Sequence, residues 1–220
     1  FKILDSKLNL IFSSSKNPFN TKFYLWGEDS LSMTNFVDLI SHLDQDVKII
    51  MFMTQCYSGG FARSIFEGGD EKSPLSKQQR IGFFSTVYNR EAAGCTPEID
   101  ESLYEDYSTY FFSALSGRDR LRQKINPPDY NNDQKISFDE AHTYALINSN
   151  SIDISVKTSD AFLRHTVKHT DRGMEKLLDS TSYRYILKKS SVTQKRLLEA
   201  CPRCVFLISY VLTCPQRFCS

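Results

Sequence analysis

Residues 47–60, Val-Lys-Ile-Ile-Met-Phe-Met-Thr-Gln-Cys-Tyr-Ser-Gly-Gly, constrain this chain more than any other segment. An unbroken apolar run of strand length stops at Thr54-Gln55, and Cys56 follows at once with small residues behind it. Strands buried on both faces read as continuous apolar runs rather than alternating ones. In open parallel sheets, ligand sites lie beyond the carboxyl ends of such strands. Cys56 therefore falls where a nucleophile would sit, and Ser58-Gly59-Gly60 lets another backbone approach closely. An ordinary thiol in a strand–helix turn is the competing reading.

The flanking pattern supports an α/β chain. Lys22 to Trp26 and Leu8 to Phe12 read as short strands, the latter closed by Ser13-Ser14-Ser15-Lys16-Asn17-Pro18. Met33, Phe36, Val37, Ile40 and Leu43 recur at helical spacing within Ser32 to Leu43. A helix is expected from Gly60 to Phe66, a loop over 67–79, and a strand from Arg80 to Val87. Tyr104, Tyr107, Phe111, Ala114 and Leu115 line one face of a helix ending near Gly117. Pro127-Pro128 breaks any helix, a second begins near Ser137, and Arg172 to Lys188 reads as another. Alternating strands and helices imply a mostly parallel sheet flanked by helices. Three segments follow: an α/β core over 1–120, a helical extension over 121–190 and a cysteine-rich tail over 191–220.

Gln55-Cys56-Tyr57-Ser58-Gly59-Gly60-Phe61, with the apolar strand before it, resembles the nucleophile strand of the caspase, legumain and gingipain group of cysteine peptidases. Further matches to bacterial caspase-like proteins are Phe23 to Glu28, Tyr107 to Leu115 and Ile136 to His142. The resemblance covers roughly residues 8–165. It implies a caspase-like three-layer fold with a mostly parallel central sheet. It also implies Cys56 as nucleophile, Gln55, Ser58 and Gly59 about the oxyanion region, and Cys95 bordering the substrate pocket. Arg90 and Glu91 are candidate specificity charges there. The partner implied is a peptide or protein, either substrate or bound ligand.

Such an enzyme needs a thiolate and a base that later protonates the leaving amine. In the resembled family that base is a histidine preceding a glycine, and here Ser13-Ser14-Ser15-Lys16 stands in its place. The four histidines are His42, His142, His165 and His169, and none precedes glycine. His42 enters the cysteine strand from the wrong end of the sheet, and His142 sits just inside a helix. Three readings follow: a live cysteine peptidase, a degenerate pseudopeptidase that binds or regulates, and an unrelated α/β protein in which Cys56 is incidental.

Asp129 to Glu140 fits the twelve-residue calcium loop. Asp129, Asn131, Asp133, the Lys135 carbonyl, Ser137 and Glu140 occupy the ligand positions. Gln134 stands at the sixth position, where glycine normally adopts positive φ, so low Ca2+ affinity is expected. Ser137 and Glu140 also spell a helix-capping box.

Cysteines Cys201, Cys204, Cys214 and Cys219 form two knuckle-like pairs that four-thiolate zinc would suit. The second pair is spaced too widely for a standard knuckle, so packed free thiols are expected rather than zinc or disulfides. The cysteines lack the even scatter of a secreted framework, which leans towards a reducing environment but leaves the compartment open. Charge is balanced, 27 basic residues against 26 acidic, which argues against nucleic acid as partner. No apolar stretch reaches membrane-spanning length. The chain opens on Phe1 without a signal-peptide pattern, as a fragment would.

Overall fold

The computed structural model describes residues 21–25, 29–93, 106–168 and 183–200. The expected strand at Leu8–Phe12, the serine run after it, Cys95, His169 and the four tail cysteines lie outside the described residues. The chain is an α/β protein that divides into two compact units. One is Phe1–Tyr104 with Ser151–Ala161, the other Glu105–Asn150 with Phe162–Ser220.

The first unit opens with β1 (Lys22–Tyr24) antiparallel to β2 (Ser30–Ser32). Helix α1 (Met33–Ser41) begins at once because Ser32 caps it: its Oγ accepts the Asn35 N–H at 3.1 Å. Such a cap contributes about 1 kcal/mol. Met33, Val37 and Ile40 are buried on the expected apolar face. Leu43 is exposed, because the helix ends two residues before it.

Strand β3 (Ile49–Met53) runs parallel to β4 (Arg80–Phe84), and β5 (Val156–Lys157) pairs antiparallel on the other side of β4. Among the described residues the order is β3-β4-β5, with β4 in the middle. Burial on both faces of β3 was expected. Met51 and Met53 are buried, but Ile50 and its register partner Ile81 are 47% and 43% exposed on the opposite face. The core lies on the buried side, centred on Phe61, which is wholly inaccessible. The Phe61 ring meets Phe23 at 4.3 Å and Phe36 at 5.7 Å between centroids. Burying one such ring stabilises the fold by about 2–3 kcal/mol.

Past β3 the chain forms a 3-10 helix, Ser58–Ile65, over most of the span where a helix was expected. The loop that follows is tied down by the Arg63–Glu71 ion pair at 2.8 Å. It is further held by the Ser76 N–H to Ile65 carbonyl bond at 2.7 Å.

In the second unit, Asp106 caps α2 (Tyr107–Ser116) through the Thr109 N–H at 2.8 Å, and Gly117 ends it at φ 71°. A left-handed residue at that place is the usual glycine stop. Helix α3 (Phe138–Asn148) starts from the Ser137/Glu140 capping box, as expected. The two helices pack through Phe111 stacked on Phe138 and through the buried Tyr107–His142 hydrogen bond, 2.7 Å. Thus α2, assigned by sequence to the first segment, builds the core of the second unit. Helices α4 (Thr158–Lys168), α5 (Tyr183–Lys189) and α6 (Val192–Ala200) complete the described elements. Among them, Leu197 and Leu198 of α6 bury against Ile186 of α5.

Arg80, at the start of β4, is buried and reaches α1, the 3-10 segment and the loop just before its own strand. Its guanidinium donates to the Gln78 side chain at 2.9 Å, the Ser64 carbonyl at 2.8 Å and Ser41 Oγ at 2.9 Å. All three acceptors are neutral, and burial lowers the guanidinium pKa from its ordinary value. Replacing it with alanine orphans those acceptors, so Arg80→Ala should lower unfolding free energy by about 2–4 kcal/mol in urea titration. Arg80→Met, which keeps the buried stem and removes the charge, should recover part of that loss. A midpoint unchanged in Arg80→Ala would show that the three bonds contribute nothing.

Candidate active site

The parallel register of Met53 with Phe84 brings the chain exits of β3 and β4 out side by side. Ser85 stitches them: its N–H donates to the Met53 carbonyl at 3.0 Å and its Oγ to the Thr54 carbonyl at 2.9 Å. Cys56 lies three residues past the strand, where sheet geometry places ligand sites. Tyr57 turns the chain at φ 60°, a left-handed conformation that costs a non-glycine residue roughly 1–2 kcal/mol. Its N–H donates to the Arg90 carbonyl at 2.9 Å, which helps hold that turn.

The close backbone approach expected at the glycines is present. Gly59 N–H donates to the Thr86 carbonyl at 2.8 Å. A Cβ at Gly59 would lie 2.6 Å from that oxygen and 2.8 Å from Val87 Cα. Ser58 is fully buried; its Oγ sits 3.4 Å from the Thr86 carbonyl and accepts the Thr86 N–H at the same distance. Ser58 thus fastens the turn to the β4 exit.

The cysteine is not the exposed thiol that a poised nucleophile requires. Cys56 is 4% exposed and its sulfur is held in a disulfide. The Ala92 N–H points to that sulfur at 3.4 Å, and Cys56, Tyr57 and Ala92 form one small apolar cluster. This departs from the nucleophilic thiol expected at Cys56.

Glu91, a candidate specificity charge, accepts a 3.3 Å hydrogen bond from the Tyr57 hydroxyl. Burial first, and then the neighbouring Glu91 carboxylate, push the Tyr57 phenol pKa up. Arg90 contributes its backbone carbonyl. Among the described residues, three buried side-chain atoms have no hydrogen-bond partner: Thr21 Oγ1, Gln55 Nε2 and Thr86 Oγ1. All three flank residues 55–60, since Thr21 abuts Gly60 and Thr86 abuts Gly59. Buried polar atoms are nearly always paired in folded proteins, so three orphans gathered around one turn are unusual.

The histidines have other engagements. His42 bonds the Asp38 carbonyl at 2.7 Å at the end of α1. His142 is bonded to the Tyr107 hydroxyl within the second unit, and His165 lies on α4.

The acidic loop adopts much of the backbone its pattern anticipates. Gln134 takes φ 64°, the left-handed turn expected at the sixth position, despite its side chain. Asp129 accepts the N–H groups of Asp133 and Gln134 at 3.1 and 2.8 Å. Asn131 Oδ1 accepts the Asp133 N–H at 2.9 Å, and Asp133 Oδ1 accepts the Lys135 N–H, also at 2.9 Å. Glu140 departs from the expected cage. It is 1% exposed, and its oxygens accept the N–H groups of Tyr130, Asn131 and Ser137 together with the Ser137 hydroxyl. Its carboxylate is thus occupied with the loop backbone. Among the described residues, no three His, Cys, Asp or Glu side chains gather as a metal-holding group. No described helix is long and apolar enough to cross a membrane.

Sequence reasoning overlooked Ser85, Thr86 and Ala92, which form the facing wall of the cysteine turn. Their signal was positional: they follow the parallel neighbour of the cysteine strand. No protein-family model, curated protein or solved structure matches this chain.

The fit between Gly59 and the Thr86–Val87 backbone yields a direct test. Gly59→Ala forces a methyl group against main-chain atoms that cannot rotate away, so it should cost about 2–4 kcal/mol in chemical denaturation. A loss below about 0.5 kcal/mol would mean that the two strand exits are not held this closely.

Proposed function

We propose that this chain is a catalytically degenerate relative of the caspase- and legumain-type cysteine peptidases, using its cysteine turn to bind a peptide or protein segment. The observation that carries this reading is the buried, disulfide-bonded Cys56. Attack on a peptide carbonyl needs a thiolate, whereas a disulfide sulfur has no proton to lose and behaves as an electrophile. The serine run that replaces the family's His-Gly pair points the same way, because it removes the family's histidine that would protonate a leaving amine. In support of binding, the turn lies beyond the carboxyl ends of two parallel strands, where ligand sites gather in open sheets.

In the live-enzyme alternative, reduced Cys56 would attack the carbonyl, form a thioester and require a histidine as acid. Assays with a pooled library of short peptides, in the presence of reductant, separate the two. Turnover should be indistinguishable from that of Cys56→Ala, while retention of library peptides should weaken in Gln55→Ala. Hydrolysis that disappears in Cys56→Ala would establish the enzyme instead.

A second reading concerns loop 129–140, and the left-handed Gln134 favours it. Calcium loops need that turn at their sixth position, and here it forms without glycine. Asp129, Asn131, Asp133, the Lys135 carbonyl and Ser137 supply hard oxygens, and Glu140 would complete the set by exchanging its backbone donors for the ion. That exchange makes affinity low. At ten times the dissociation constant, calcium stabilises the folded state by about 1.4 kcal/mol, which moves the thermal midpoint by about 3 °C. Millimolar calcium should produce this rise, magnesium should not, and Asp133→Ala should abolish it. An unchanged midpoint would leave the loop as a helix cap alone.

A further inference from the structure

We propose that the loop 118–124 and the groove beside it on α2 form a docking site for an acidic peptide segment of a partner protein, one that carries an aromatic side chain among its carboxylates. The site belongs to the second unit and owes nothing to the cysteine turn or to peptidase ancestry. Arg118-Asp119-Arg120-Leu121-Arg122-Gln123-Lys124 sets four cations against one carboxylate, in a chain whose net charge is only +1. The segment closes as a hairpin. Arg118 and Lys124 form an antiparallel bridge, and the Asp119 N–H donates to the Gln123 carbonyl at 2.8 Å. The Arg122 N–H returns to the Asp119 carbonyl at 3.0 Å, and the Arg118 guanidinium donates to the Arg122 carbonyl at 3.0 Å. Asp119, the one carboxylate, is half-buried and accepts the Gln123 N–H at 2.7 Å, so it helps close the hairpin. Arg122 sits at φ 63°, a left-handed conformation unfavourable to a non-glycine residue, and the closing bonds hold it there. All four cations are exposed, and Leu121 at the tip is 75% exposed. Cations carried on a pre-formed frame lose less freedom when they bind.

Beside the hairpin, α2 turns Tyr107, Phe111 and Ala114 inward. Its opposite side, with Thr109, Phe112 and Ser116, lines an open groove of about 560 Å3 that Arg118 and Arg120 complete. Phe112 is 52% exposed there. From Ser108 to Ser116 the helix rises about 12 Å, enough for about four residues of extended peptide. Two chemistries therefore meet in one groove. A guanidinium pairs with a carboxylate through two parallel N–H···O bonds, and an aromatic face such as Phe112 packs against another ring. An acidic segment with an aromatic residue satisfies both at once. A bilayer surface is flat and would leave the groove empty, so the concave shape favours a peptide over an anionic membrane.

Fluorescence anisotropy of labelled Asp-Glu-Phe-Asp-Glu, titrated with the full chain, should show saturable binding that weakens as salt is raised. Arg120→Glu should weaken it about tenfold by turning attraction into repulsion, and Arg120→Lys should recover part of that loss. Arg122→Gly, which suits the left-handed backbone, should weaken binding about threefold without lowering the thermal midpoint. Phe112→Ser, and separately a peptide with glycine in place of its phenylalanine, should each reduce affinity. Absence of saturable binding by wild type, or equal binding by Arg120→Glu and Phe112→Ser, would overturn the proposal. Co-sedimentation with phosphatidylserine vesicles in the absence of peptide binding would overturn it too, and would assign the hairpin to a membrane surface.

Discussion

The parallel pairing of Ile49–Met53 with Arg80–Phe84 is the constraint on which the first unit depends. It places the two strand exits beside each other, and every contact at the cysteine turn follows from that juxtaposition. Ser85 bonds the end of β3, Ser58 bonds Thr86, and Gly59 packs against Thr86 and Val87. Beneath them, Met51, Met53 and Phe84 close on Phe61, so the apolar core and the turn share one register. At the other end of β4, Arg80 holds the sheet to α1 and to the 3-10 segment. A one-residue slip would move the buried side chains to the opposite face and separate the exits.

The proposed descent from a cysteine peptidase rests on the position of the sulfur, while its state argues against catalysis. The sulfur lies beyond the carboxyl end of a parallel strand, on a turn strained at Tyr57, with unpaired polar atoms around it. Strain and orphan polar groups cost stability, and proteins tend to concentrate both at functional sites. The sulfur itself is oxidised and buried, which removes nucleophilicity while keeping the turn rigid. On the proposed reading, the turn serves recognition rather than acyl transfer.

Legibility in the sequence followed locality. Helix α1 could be read because Ser32 and the Met33, Val37, Ile40 spacing are local signals, and α3 because Ser137 and Glu140 are three residues apart. The apolar run of β3 revealed a strand but not its neighbours, so the middle place of β4 had to come from three dimensions. Strand β5 has two residues and carries too little pattern to stand out. Helix α6 was hidden within the cysteine-rich tail, although Leu197 and Leu198 bury firmly. At the candidate site, Cys56 and Gly59 were visible because composition changes abruptly there. The facing wall of Ser85, Thr86 and Ala92 was not, since a contact across 30 or so residues leaves no periodic trace. The acidic loop was legible as a pattern, yet Glu140 turns to backbone donors at Tyr130 and Asn131, a choice that spacing cannot express.

The oxidation state of Cys56 decides between a resting recognition site and a nucleophile. The Cβ carbon of cysteine resonates well downfield in a disulfide relative to a thiol, so 13C NMR of the folded protein reads that state without disturbing it. Cys56 Cβ should appear in the disulfide range in protein prepared without reductant. A Cys56 Cβ in the thiol range under the same conditions would contradict the account.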